Sequence, residues 1–278
     1  MNDKENIPQH ELTLRAAAGD QTAFDALVLE ARPKLRGVIR RMVSHPEDTD
    51  ELVQESVIHA WRSMSSFRGE ASFGTWLCAI GIRQALDHLR RQKAWQTEAQ
   101  VVYANECFKS EELQSEVMAV FANPAFAYEA KEHIAFCFTC VGRSLSPEQQ
   151  AVLVMREVLR MTGREAAHAL GITEPVMRHH LAAARSAIQE RFEGLCSLVN
   201  KGGVCYQCKG LRDATPAERH GGSIPPVETL EARLAVVRGA DIDSGASQLL
   251  HDVFWRRTKE LEDCGRGSPS AATECGKG

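Results

Sequence analysis

The chain has 278 residues, 44% hydrophobic and 6% aromatic, and a formal net charge of −4. That length accommodates two small domains with tails. No run approaches the roughly 18 apolar residues of a membrane span, and the weak negative charge excludes a uniformly basic nucleic-acid coat. The polar, acid-containing start MNDKENIPQHELTLRAAAGD is unlike a signal peptide, which predicts a cytoplasmic protein with nine reduced cysteines. Charge is unevenly spread. Residues 32–41 hold five basic side chains and no acid, and residues 83–93 hold four and one acid. Residues 97–132 hold seven acids against two lysines. Basic helical patches separated by an acidic segment suit local DNA binding, and equally suit solvated helix faces.

The predicted fold is all-α, with two small helical domains joined by a linker and a largely irregular C-terminal tail. In the first block, 11–95, AFDALVLEARPKLRGVIRRMV places Phe24, Leu27, Val28, Leu35, Val38, Ile39 and Met42 at helical spacing. Pro33 predicts a bend or boundary there. SHPEDTD predicts a turn ending in capping residues. ELVQESVIHAWRSM follows as an amphipathic helix with Leu52, Val53, Val57, Ile58 and Trp61 on its apolar side. After the loop SFRGEAS comes a long helix ending in a basic cluster.

Residues 96–143 read as an acidic linker, and 144–195 as a second helical unit. The latter opens with Ser146-Pro147-Glu148, a cap followed by a first-turn proline. Residues 196–210 are a cysteine-rich segment. Residues 211–278 loosen into Gly, Pro, Ser and charge, which predicts a partly disordered tail holding two short amphipathic stretches.

Within the second unit, REAAHALGITEPVMRHHLAAARSAIQERF has the spacing of two helices crossing steeply. Gly171 supplies the turn, and Leu170, Ile172, Met177 and Leu181 the contacts. Pro175 stands where the second helix starts. That helix projects Arg178, His179, His180 and Arg185, which suits base edges and phosphates of a major groove. An αα-hairpin packing only on protein is the plainer reading.

The stretch DELVQESVIHAWRSMSSFRGEASFGTWLCAIGIRQALDHLRRQ resembles the core domain of extracytoplasmic-function sigma factors of bacterial RNA polymerase. LSPEQQAVLVMREVLRMTGREAAHALGITEPVMRHHLAAARSAIQERF is similar to their promoter-binding fourth domain. The resemblance implies that helix 50–61, through Asp50, Glu51, Leu52, Val53, Gln54 and Glu55, docks on the clamp helices of the polymerase's largest subunit. It implies that loop 66–73 and helix 75–91 open and hold the minus-ten element. Phe67, Arg68, Phe73 and Trp76 would be available to unpaired bases, Arg83 would lie on the same helix, and Arg90 and Arg91 would meet phosphate. Trp76 also falls on the apolar stripe, which favours a core position. Arg178, His179 and Arg185 match positions facing the minus-thirty-five element. Arg83 departs from the family's usual asparagine, and Glu174 and Pro175 from its usual small residues. The implied partners are core RNA polymerase, promoter DNA and an anti-sigma factor.

Two CxxC pairs remain, Cys137/Cys140 within HIAFCFTC and Cys205/Cys208 within CYQC. Four thiolates give a closed tetrahedral zinc site, and His133 and Cys196 are donors in reserve. The first fragment resembles the His-x3-Cys-x2-Cys signature of zinc-containing anti-sigma factors. A thiol–disulfide switch and plain packing of small apolar side chains stand as the other readings. No nucleophile elbow or phosphate-cradling glycine loop is present, so an enzyme is not expected. The expected function is a sigma factor regulated by a metal- or thiol-dependent cysteine site. A helix-turn-helix repressor, or a metal sensor that never engages polymerase, is the rival.

Overall fold

Helix α1 (Gln9–Ala17) leads into α2 (Gln21–Val43), which Asp20 opens by accepting a hydrogen bond from the Ala23 amide at 3.1 Å. The structure is a computed structural model describing residues 8–92, 101–102, 105, 109–240 and 245–264. Among them every regular element is helical, as the periodicity predicts, and extended pairing is confined to the isolated bridges Tyr128–His220 and Cys196–Cys205. The predicted apolar stripe of α2 is buried along its whole length.

Pro33 does not break α2, contrary to expectation. A mid-helix proline costs about 3 kcal/mol through a lost hydrogen bond and ring crowding. Each buried Leu, Ile or Phe returns roughly 1.5–3 kcal/mol. With Phe24, Leu27, Leu35 and Ile39 all in the core, continuing the helix outweighs the penalty, and Pro33 stays on its exposed side.

The predicted turn SHPEDTD is also shorter than expected. Helix α3 (Pro46–Ser63) begins at its proline, so the reversal is confined to Ser44, at φ 76°, and His45. Helix α4 (Phe73–Arg90), capped by Ser72, crosses α2 closely at Gly81. A Cβ there would lie 2.5 Å from Leu35 Cδ1.

The expected linker is folded. It contains α5 (Glu111–Ala122) and α6 (Ala130–Gly142), and α6 is buried over most of its length. Then come α7 (Pro147–Leu153), with the Ser146–Gln149 capping box, and a π turn at Val154–Val158. Helices α8 (Gly163–Leu170) and α9 (Glu174–Leu195) complete the second unit. One continuous core joins the two units. Ile39, Met42 and Leu86 share it with Ala151, Met155 and Ala166, and Gln150 Nε2 donates to the Met42 carbonyl at 3.0 Å.

The described part of the tail is more ordered than its composition predicts. It holds α10 (Gln207–Ala214), α11 (Leu230–Gly239) and α12 (Gln248–Cys264). Leu230, Leu234 and Val237 of α11 pack with Phe138, Val141 and Ile188. Trp255 of α12 packs on Phe136 and Cys140. These apolar residues, few in sequence, find a ready apolar surface on α6, and that burial offsets the ordering entropy.

Candidate nucleic-acid interface

The helix-turn-helix is built by local chemistry. Thr162 and Glu165 form a capping box at the start of α8, and Gly171 ends that helix at φ 66°, a left-handed conformation glycine adopts without strain. The Ile172 amide returns to the Ala167 carbonyl at 3.0 Å, Thr173 caps α9, and Pro175 occupies its first turn. Met177 is buried under the crossing, where a Cβ on Gly163 would come within 2.9 Å of its Cε. Arg178 and His179 consequently stand exposed on the first turns of α9, with His180 half-buried.

Arg185 is placed differently from expectation. Its guanidinium is held between Glu157 of the π turn and Glu231 of α11, so it is not free for phosphate. Arg156, Arg160 and Arg238 join it around an open cleft of about 340 Å³. Arg90 is likewise engaged, by Glu148 at 3.0 Å across the two helical units and by Asp87 at 2.9 Å. Of the other predicted DNA-facing cations, Arg68, Arg83 and Arg91 are exposed.

The aromatic residues around loop 66–73 form a connected cluster. Phe73 is 2% exposed, edge-on to Phe24 at 5.9 Å, so it anchors the loop and offers no face to a base. This corrects its predicted role. Phe67 and Trp76 are half-buried, 5.0 Å apart, and pack against the core while keeping part of their surface in solvent. Trp76 thus partly meets its predicted core position.

On α3 the predicted docking set divides. Leu52 and Val53 are buried, because adjacent positions on this helix face α2 and α4, and they cannot contact another protein. Asp50, Glu51, Gln54 and Glu55 are exposed. Ile58, expected on the inner side, is 44% exposed and adds an apolar spot beside that acid and amide face. Asp50 also meets Arg36 at 2.8 Å. Val57 and Trp61 are half-buried, and the Trp61 ring lies 5.0 Å from Phe24.

The basic stretch 32–41 is partly consumed by the tail. Arg40 is 2% exposed, 3.2 Å from Asp252, and lies over the Trp255 ring. Arg41 donates at 3.0 Å to the Val237 and Ala240 carbonyls, the C-terminal end of α11 where a cation is favoured. Asp48 binds Lys259 of α12 at 2.9 Å. Burial alone would raise its carboxyl, but hydrogen bonds from His88 and Lys259 outweigh that and hold it far below its usual range. Glu148, Glu157, Glu231 and Asp252 were invisible as partners in the sequence. Their roles depend on contacts between segments distant along the chain.

The cysteine residues converge from three segments. Cys196 ends α9, and Cys205 is brought beside it by hydrogen bonds from the Cys205 amide to the Leu195 carbonyl (2.8 Å) and the Ser197 amide to the Cys205 carbonyl (3.1 Å). Cys208 lies on α10, which packs on α6. Cys137 packs in the cluster that contains Cys196, whereas Cys140 belongs with Phe136 and Trp255. His133 turns toward His251, with Nδ1 and Nε2 3.3 Å apart, and stacks on Phe136. Burial pushes the thiols of Cys137, Cys140 and Cys205 up and that of Cys208 to about 12. Such thiols are poor nucleophiles at neutral pH, which weighs against a low-pKa redox switch.

Among the described residues no helix is long and apolar enough to cross a membrane. Residues 27–94 match the family model for sigma-70 region 2, and residues 137–188 that for sigma-70 region 4. The chain is 40% identical over 79 residues to RNA polymerase sigma-H factor of Pseudomonas aeruginosa, covering 28% of this chain and 41% of that one. It is 30% identical over 177 residues to the ECF RNA polymerase sigma factor SigG of Mycobacterium tuberculosis, covering 60% and 48%. It thus spans less than half the length of these two relatives. With the ECF RNA polymerase sigma-E factor of Escherichia coli it shares 27% identity, over 69% of this chain and 97% of that one. The chain thus carries segments that match sigma-70 regions 2 and 4, in that order and on helical elements, and over them it is similar to extracytoplasmic-function sigma factors.

Proposed function

We propose that the chain is a cytoplasmic, non-catalytic initiation factor that binds core RNA polymerase and directs it to particular promoters. One observation carries this reading: segments matching sigma-70 regions 2 and 4 occur in order, and each leaves polar side chains exposed on the helix we assign to recognition. On region 2 that surface is Glu51, Gln54, Glu55 and Ile58 of α3. Its acids, amide and single apolar spot suit a helical partner with basic rims. An anti-sigma factor would compete for polymerase-facing surface of this kind. On region 4 the surface is Arg178 and His179 at the start of α9. Regulation through the cysteine element belongs to the same reading, because that element ties α6, which runs into the start of region 4, to the segment following α9.

The test is retention of the full chain on immobilised core polymerase. Glu51→Lys combined with Glu55→Lys is expected to lower affinity about tenfold or more, at roughly 1.4 kcal/mol per decade. Melting behaviour should change little, since both side chains are exposed. No retention of the unaltered chain would sink the reading.

A further inference from the structure

We propose that Cys137, Cys196, Cys205 and Cys208 form a tetrahedral zinc site, with Cys140 outside it. Two observations support this assignment. The first is a tight backbone knuckle between α9 and α10. The Val199 and Asn200 amides turn back on the Cys196 carbonyl at 3.0 and 2.9 Å, and the Gly203 amide donates to the Asn200 carbonyl at 2.8 Å. A Cβ on Gly203 would lie 2.7 Å from the Cys196 carbonyl carbon and 2.8 Å from the Leu195 oxygen. Only glycine fits that approach, and it is what sets Cys205 alongside Cys196. The Tyr128 hydroxyl then fixes the next turn, donating to the Cys208 carbonyl at 2.8 Å.

The second observation is a buried cation facing these thiols. Arg233 of α11 is 2% exposed, with its guanidinium 3.8 Å over the Phe192 ring and Nη2 3.7 Å from Cys196 Sγ. Its other acceptor is the Val227 carbonyl at 3.5 Å, and among the described residues no carboxylate pairs with it. A buried guanidinium lacking an anion is costly, and neutral thiols do not neutralise it. Four thiolates around a divalent zinc ion carry a net charge of about −2, which supplies the missing counter-charge beside Arg233. Four sulfur donors and no open position also favour zinc in a structural role over a hard cation.

Cys140 is set apart by its packing against Phe136 and Trp255. That separates the site from the sequence expectation of two paired CxxC motifs, and His133 is occupied with His251. Among the described residues no three histidine, cysteine, aspartate or glutamate side chains are arranged to hold an ion as they stand. Chelation therefore requires the four sulfurs to draw closer than they stand in this structure. Zinc held this way would join α6 to the end of α9 and to α10.

The test is metal content of the full chain purified under reducing conditions. About one zinc per chain is expected, with near-complete loss in Cys196→Ser and in Cys208→Ser and retention in Cys140→Ser. Because a serine variant that unfolds would also lose metal, helical circular dichroism is compared for all three. Independently, cobalt(II) titrated into the metal-stripped unaltered chain should give intense thiolate-to-metal absorption that zinc displaces. Absence of both zinc and the cobalt signal overturns the site, as does a Cys196–Cys205 disulfide in the isolated protein. Equal loss in Cys140→Ser, with its helical signal intact, overturns the ligand assignment. None of these outcomes bears on polymerase binding, so failure here leaves the initiation reading to its own test.

Discussion

Arg178→Ala is expected to weaken binding of the full chain to upstream promoter duplex about 5- to 150-fold, the roughly 1–3 kcal/mol of one specific arginine contact. The side chain is exposed on the second turn of α9, so thermal stability should stay within about 0.5 kcal/mol. Arg185→Ala should cost much less, because its guanidinium is already shared between Glu157 and Glu231. Glu231→Gln should act oppositely and tighten DNA binding a few-fold. Glu231 is largely exposed, and an exposed ion pair is worth about 0.2–1 kcal/mol. Fluorescence anisotropy across a salt series separates these effects. With Glu157 still holding Arg185, the salt dependence should steepen by no more than about one counterion. If Arg178→Ala binds as tightly as the unaltered chain, α9 does not read DNA.

Stability should fall as pH drops from about 6.5 toward 4. His133 is fully buried, and burial depresses its pKa from 6.5 to about 4. His251 is shifted the same way, by burial first and then by the charges of His133 and Arg40. A basic group with a depressed folded-state pKa binds protons more readily when unfolded. Its contribution is therefore complete above about pH 6.5, declines through the window and levels off below about 4. For His133 alone the loss is about 3 kcal/mol, at roughly 1.4 kcal/mol per pH unit. Arg40 of α2 adds to the penalty, its partner Asp252 softens it, and Glu132 on α6 opposes it, since burial raises that carboxyl. His251→Phe, keeping a ring on Phe136, should flatten the pH dependence. A melting temperature unchanged between pH 7 and 5 would contradict the buried neutral pair.

Much of this fold was legible because helical period and caps are local. Ser146-Pro147 and Gly171 announced their boundaries, and the stripe from Phe24 to Met42 announced its buried face. Pro33 misled, since tertiary burial outweighed a local penalty. Leu52 and Val53 were legible as apolar but not as inaccessible, because a motif identifies a helix without assigning each side chain to a face. Arg90 and Arg185 were correctly read as cations on the right helices. Their neutralisation by Glu148 and Glu231 is a long-range property, as is the approach of Cys196 to the CYQC pair. The tail was least legible, because its helices are stabilised by α6 more than by their own composition.

Multi-round transcription by core polymerase, with and without the full chain, on a library of promoter fragments tests the central claim most directly. A discrete set of transcripts that requires the chain, and that is lost with Arg178→Ala and with Glu51→Lys/Glu55→Lys, is the expected result. Retention on polymerase and binding to DNA with no chain-dependent transcript from any fragment would contradict it.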